Sequence, residues 1–292
     1  MRPLEDFLAA QGAVVRVALD RVRGSSPREA GAAIFVASED LHGTIGGGRL
    51  EYMAVARARE MLETGVLSDR MDLPLGPEIG QCCGGRVEIT LTRMGRGDRR
   101  AACDRAARAR AAWPEVFIFG AGHVGRALAD LMQHMPVRTV LVDMRPEELA
   151  LCSAQVETRL AVLPEALVEA AAPGAAFVVA THDHGLDFLV TDAALARGDA
   201  GYVGLIGSRT KRAKFDRWVR QTGEARSTEG LTCPIGAGLS RDKRPEIIAA
   251  CVTAEVMGAL TREDTAARAP RHPTPCDSME RPRAAVREDP HG

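Results

Sequence analysis

Residues 80–90 read GQCCGGRVEIT and set two adjacent thiols, Cys82 and Cys83, among glycines. A thiol on a bare backbone turn meets no neighbouring side chain, so it can approach a large ligand closely. Adjacent cysteines lack the spaced pairs of a structural zinc site. A disulfide between them needs strained geometry. If the turn is extended, the two side chains point to opposite sides and only one faces a ligand. Three readings stay open: ligand contact or sulfur handling, a small pair chosen for packing, and a redox-sensing interaction module.

A second set of residues has the spacing of a phosphate-binding turn. VFIFGAGHVGRALADLM holds Gly120, Gly122 and Gly125 as Gly-x-Gly-x-x-Gly, after an apolar run and before a helical one. Asp143 ends the next apolar run, 23 residues after Gly120, where this fingerprint expects an acid for a ribose hydroxyl. Glycines let the backbone approach a phosphate, and helix N-terminal amides stabilise its charge. His123 puts a hydrogen-bonding ring inside the loop. THDHGLD follows the third apolar run and adds His182 and His184. These residues read either as ligand contacts or as polar loop residues at a sheet edge. In LIGSRTKRAKF, Ser208 is placed to cap a helix whose first turn carries Arg209 and Lys211. Cations there oppose the helix dipole, so an anionic ligand would explain them. Nearer the N-terminus, GTIGGGRLE offers Gly46, Gly47, Gly48 and Arg49 as a run of backbone donors before a helix. GSSPREAGA adds Ser25, Ser26 and Arg28 on a turn.

The elements that must position these groups fall into two units. In 1–95, alternating strands (AVVRVALDRV, AAIFVAS, RVEITLTRM) surround a helix capped by Gly65, which makes a small α/β domain. Residues 96–115 are rich in Ala and Arg and read as a partly helical linker. In 116–262, four apolar strands alternate with helices, the pattern of a Rossmann-like, doubly wound parallel sheet. Residues 263–292 are charged and Pro-rich and are expected to be a disordered tail. The 38 basic and 39 acidic residues nearly cancel, so no basic field recommends nucleic acid or a membrane surface. No apolar run approaches the roughly 20 residues of a membrane span. The acidic start has no apolar signal segment. A cytoplasmic protein with reduced thiols is expected.

Six ordered stretches carry a family resemblance: GSSPREAGA, GTIGGGRLE, LGPEIGQCCGGRVE, VFIFGAGHVGRAL, LIGSRTKRAKF and KRPEIIAACVTAEVM. Together they resemble the XdhC/CoxI family of xanthine dehydrogenase accessory proteins. The resemblance implies a protein that binds molybdenum cofactor in its molybdopterin form. It implies protection of that cofactor while a cysteine desulfurase assists its sulfuration, and delivery to apo-xanthine dehydrogenase. A chaperone of this kind need not be an enzyme. Molybdenum is thiophilic, so Cys82 is the favoured metal contact. The competing reading is an NAD(P)-dependent oxidoreductase resting on Gly120, Gly122, Gly125 and Asp143. A homodimer is a further expectation, with the apolar last helix able to serve it or to pack on its own sheet.

Overall fold

The computed structural model describes residues 2–76, 84–222 and 227–262. The N-terminal unit runs α1 (Leu4–Ala10), β1 (Val15–Arg23), β2 (Ala33–Val36), β3 (Leu41–Gly43), α2 (Gly48–Thr64), β4 (Ser68–Pro74) and β5 (Arg86–Arg93). Its antiparallel sheet has the order β3-β2-β1-β5-β4. Period-two alternation decides the faces. Val15, Val17 and Leu19 of β1 and Val87, Ile89 and Leu91 of β5 meet Leu50, Ala54, Ala58 and Met61 of α2. Gly65 ends α2 in the left-handed conformation, and its amide donates to the Met61 carbonyl.

The segment expected to be a partly helical linker contains one continuous helix, α3 (Arg96–Ala111). It belongs to the core of the first unit. Ala102 is buried with Phe7, Leu8 and Phe35 on the sheet face away from α2. Arg99 donates through Nη1 to the carbonyls of Leu8 and Gln11, at 2.7 and 3.0 Å. These carbonyls end α1 and its exit turn, where backbone acceptors lack helical partners. A helix docked by alanine and a guanidinium leaves little apolar periodicity to read.

The second unit runs β6 (Glu115–Phe119), α4 (His123–Met132), β7 (Arg138–Asp143), α5 (Pro146–Ala150), β8 (Glu157–Leu160), α6 (Pro164–Ala170), β9 (Ala176–Val179), α7 (His184–Ala196), β10 (Tyr202–Leu205), α8 (Arg209–Gln221), β11 (Leu231–Thr232) and α9 (Pro245–Leu260). All six strands are parallel, in the order β11-β10-β9-β6-β7-β8. Helices cover both faces, so the central strands are apolar throughout. Phe117, Phe177 and Val203 meet Val190, Ala194 and Phe215 on one side. Ile118, Val178 and Leu141 meet Leu128, Met132, Val252 and Val256 on the other. The last helix thus packs in cis, on its own sheet and on α4. The four central strands are the four apolar runs of the sequence. The two edges leave no such run, because every residue of β8 is exposed and β11 has two residues. Among the described residues, no helix is long and apolar enough to cross a membrane.

Candidate functional site

Strand order reverses between β6 and β9, which makes the crevice at their C-terminal ends the ligand position of an open α/β sheet. The three glycines of the β6–α4 turn have different reasons to be there. Gly120 has φ 109°, and a Cβ on it would lie 2.3 Å from the Ala180 carbonyl oxygen. A Cβ on Gly125 would lie 1.8 Å from the Gly120 oxygen, so this glycine lets α4 close on the strand. A Cβ on Gly122 would meet nothing within 4 Å. No internal packing requires that glycine, and its bare backbone faces open space at the N-terminus of α4. His123 opens the helix and is exposed.

Asp143 stands at the fingerprint position, but its carboxylate is already engaged. Oδ2 accepts from the Ala121 amide at 2.7 Å and from Arg145 Nη2 at 3.1 Å. Oδ1 accepts from the Arg145 amide at 3.0 Å and from Arg145 Nε at 3.1 Å. Burial works to raise this carboxyl, but the hydrogen bonds from Arg145 and the two amides outweigh it and hold Asp143 below the usual carboxylate range. The network continues outward: Arg145 Nη1 lies 3.6 Å from Glu148 Oε1, and Glu148 Oε2 accepts from Arg126 at 2.5 Å.

Gly120, Asp143, Thr181 and His182 line one cleft, together with Phe119 and Pro164. It encloses only about 10 Å³. That is room for about one water molecule. Asp183 caps α7, accepting from the amides of Gly185 and Leu186 at 2.7 and 2.9 Å. Asp187 is fully buried and accepts from the Thr181 amide and hydroxyl, at 3.0 and 2.7 Å. Its other oxygen pairs with the Lys211 ammonium. Lys211, expected from its place near a helix N-terminus to await an anionic ligand, instead neutralises this buried acid. His184 is 85% exposed, with Nδ1 4.0 Å from Asp187. No group of three or more His, Cys, Asp or Glu among the described residues could hold a metal ion.

Ser208 caps α8 as expected, its Oγ accepting from the Lys211 amide at 3.2 Å. Ser208 and Arg209 do not share the cleft of Gly120. They line a second cavity of about 560 Å³ with Pro234, Ala237, Gly238 and Arg241. Its far wall is a loop anchored by Glu255, whose Oε2 accepts from the Gly236 amide at 2.9 Å and the Tyr202 hydroxyl at 3.0 Å. Burial, with the Glu255 charge and hydrogen bond, pushes the Tyr202 hydroxyl far above its ordinary pKa, so it stays a donor. Arg241 was missed by sequence reading. Its one signal is that it lies in the polar loop leading into α9.

In the first unit, the three glycine-rich stretches come together. Ser25 bridges Gly84, and a Cβ on Gly85 would lie 2.2 Å from the Ser25 carbonyl oxygen. A Cβ on Gly46 would lie 2.7 Å from Pro27 Cβ. Cys82 and Cys83 lie outside the described residues. The chain on either side of them is anchored: the Leu75 amide donates to the Gly85 carbonyl at 2.7 Å, and the Gly84 amide to the Leu75 carbonyl at 2.8 Å. Ser26 Oγ is buried with no hydrogen-bond partner among the described residues. The donors of GTIGGGRLE are largely used within the chain. Glu51 Oε2 accepts from the Thr44 hydroxyl at 2.5 Å and from the amides of Ile45 and Gly47 at 3.0 and 3.2 Å. The Gly46 amide donates to Thr44 Oγ1. Partial burial works to raise the Glu51 carboxyl, but these hydrogen bonds hold it below its ordinary value. Gly48 and Arg49, exposed at the start of α2, remain at the surface of this loop.

Strand order, the β6–α4 turn and the acid at the end of β7 define the second unit as a Rossmann domain. The XdhC Rossmann domain model matches residues 116–256, and the XdhC and CoxI family model matches residues 7–68. The chain belongs to the XdhC and CoxI family. It is 26% identical over 243 residues to the uncharacterized protein YqeB of Escherichia coli K12. That match takes in 80% of this chain but 41% of the relative, so the chain spans about two fifths of YqeB. A crystal structure of a xanthine dehydrogenase from Bacillus halodurans shares the fold, with TM-score 0.73 and 18% identity over 91% of this chain and 97% of that one.

Proposed function

We propose that this chain binds molybdenum cofactor in its molybdopterin form, shields it during sulfuration and inserts it into apo-xanthine dehydrogenase. The observation that carries the reading is the convergence of GSSPREAGA, GTIGGGRLE and Gly84–Gly85 at the ends of the Cys82–Cys83 segment. That convergence sets bare backbone at Gly84 and Gly85, which follow the two cysteines directly in the chain, as a large thiophilic ligand would need. Family membership supports the reading, and so does the chemistry of the second cavity. Molybdopterin carries a phosphate, and Ser208, Arg209 and Arg241 surround a space of about 560 Å³ at one end of the parallel sheet. The open approach at Gly122 offers the phosphate a second seat. When bound, the cofactor supplies the molybdenum centre destined for the target enzyme. The chain's own residues would hold and cover it: Cys82 as the contact to the metal, with Cys83, Gly46, Gly47, Gly48, Arg49, Gly120, Gly122, His123, His182, His184, Ser208 and Arg209 as the proposed surround, while Gly125 and Asp143 shape the turn behind them. A cysteine desulfurase is the proposed sulfur donor.

The NAD form of the competing oxidoreductase reading asks Asp143 to take a ribose diol, and that carboxylate is occupied by Arg145. The test is xanthine oxidation by apo-xanthine dehydrogenase after anaerobic incubation with molybdenum cofactor, with and without this protein. Activation should depend on the protein, and Cys82→Ala should lower pterin retention on gel filtration without changing the circular dichroism. Equal activation by free cofactor alone sinks the chaperone reading.

A further inference from the structure

The parallel sheet ends on β8, and among the described residues no strand pairs with its outer side. All four of its residues, Glu157 to Leu160, are exposed. It carries none of the usual guards of an edge: no proline, no lysine and no bulge. Its backbone has one side to offer. The Ala161 amide donates to the Asp143 carbonyl of β7 at 3.1 Å. The amide and carbonyl of one strand residue point to the same side, and the side alternates along the chain. Glu157 and Arg159 therefore face β7, while Thr158 and Leu160 turn their amides and carbonyls to the open edge. Side chains follow the same period. Glu157 and Arg159 share one face and pair at 2.6 Å, and Val156, Thr158 and Leu160 share the other. Leu151 before the strand, and Leu160, Val162 and Leu163 at and after its end, are each at least 59% exposed.

We propose that β8 is the seat of a second copy of this chain, joined antiparallel across a two-fold axis at Thr158 into one sheet continuous through both protomers. Such a pairing sets edge-facing residues against edge-facing residues, so the axis must pass through a residue and not between two. With the axis at Thr158, Glu157 of each copy lies opposite Arg159 of the other, Thr158 opposite Thr158, and Leu160 opposite Val156. An axis at Glu157 or at Arg159 sets like charges directly opposite, which is destabilising. An axis at Leu160 leaves Arg159 opposite Ala161 and Glu157 opposite Leu163. The pattern is thus self-complementary in one register, as a closed two-fold interface requires. Antiparallel docking also carries Val162 and Leu163 of one copy toward the Leu151 side of the other. The strand is short, and these exposed apolar side chains add the area that a stable dimer needs beyond the ladder. The apolar last helix is no rival for the role, because it packs on its own sheet and on α4. The pairing is independent of what either unit binds.

The test is sedimentation equilibrium of the full chain over a concentration series, with thermal melting as the folding control. The wild-type chain should be a dimer. Arg159→Glu sets carboxylates opposite each other in both symmetric pairs and should weaken the dimer at least about tenfold. Glu157→Arg combined with Arg159→Glu rebuilds the opposition with its signs exchanged and should restore the dimer. As a second measurement, Thr158→Cys should cross-link to its own mate under mild oxidation, well above Leu160→Cys, whose position faces Val156. The proposal is overturned if the wild-type chain is a monomer, as for an edge that serves a different protein. It is equally overturned if Arg159→Glu leaves the dimer as tight as wild type, if the double variant stays as weak as the single one, or if Thr158→Cys cross-links no more than Leu160→Cys.

Discussion

Two glycine loops in this molecule lead into helices, one in each unit, and they end in opposite electrostatic states. Gly47 caps α2 and Gly122 caps α4. Four residues into each helix stands a charged side chain that reaches back to its loop. In α2 it is Glu51, whose carboxylate receives the amides of Ile45 and Gly47. In α4 it is Arg126, which donates to the Ala121 carbonyl at 2.6 Å and brings no acceptor to the loop amides. The first loop draws its anion from its own helix; the second receives Asp143 of β7 at the Ala121 amide, and the first turn of α4 adds no acid. A glycine run before a helix marks where an anion can sit, and the residue one turn later decides whether the helix itself provides it.

The first turn of α8 holds a similar contrast: Lys211 is tied to buried Asp187, while Ser208 and Arg209 line the open arginine cavity. Removing half of a buried pair should have the largest effect. Lys211→Met leaves the fully buried Asp187 without its cation. The loss should be about 3–5 kcal/mol, read as a drop in the urea midpoint. A loss near zero would mean that Thr181 alone satisfies the acid. Next comes Gly125→Ala, whose Cβ would overlap the Gly120 oxygen. It should cost about 1–3 kcal/mol through overpacking. The same measurement on Gly122→Val should show a change within about 0.5 kcal/mol, as for a surface substitution, with weakened retention of the proposed pterin ligand. Equal melting of the two variants would erase the distinction drawn between these glycines.

The loop comparison is tested by Glu51→Ala. It removes three hydrogen bonds to a charged acceptor. Hydrogen bonds to charged groups contribute about 1.5–3 kcal/mol each when both partners are lost from water, and partial exposure places the expected loss at the low end. The freed amides should then bind inorganic phosphate, seen as a thermal shift absent from the wild type. The smallest effect is in pH. Glu51 titrates lower in the folded chain, so its contribution is full above its unfolded value of 4.5 and is lost as pH falls through the lower folded value. Acid unfolding of Glu51→Ala should therefore begin from a lower plateau and lack that portion of the slope.

Much of this is legible in the sequence. Alternation in VVRVAL and VEITL assigned faces, and apolar runs separated by helices specified a parallel sheet, because burial on one face or two leaves different periods in the chain. Ser208 as a cap and Gly65 as a stop were readable because caps depend on local backbone geometry. The edge strand β8 is not, since a strand exposed along an edge has no apolar signature, and β4 offers only Met71 and Leu73 to the core. Nor was α3, docked through Ala102 and Arg99.

The residue types at the sites, and the elements carrying them, come from the order of amino acids alone. Their states come from contacts between residues far apart in the chain. Lys211 reads as a free cation until α8 sets it against Asp187, 24 positions earlier. Asp143 reads as a ribose acid until Ala121 and Arg145 fill its oxygens. Arg241 becomes notable only where the loop held by Glu255 brings it beside Arg209. Local propensity acts over a turn or two of chain, whereas pairing a charge depends on which other charge the fold brings within about 4 Å.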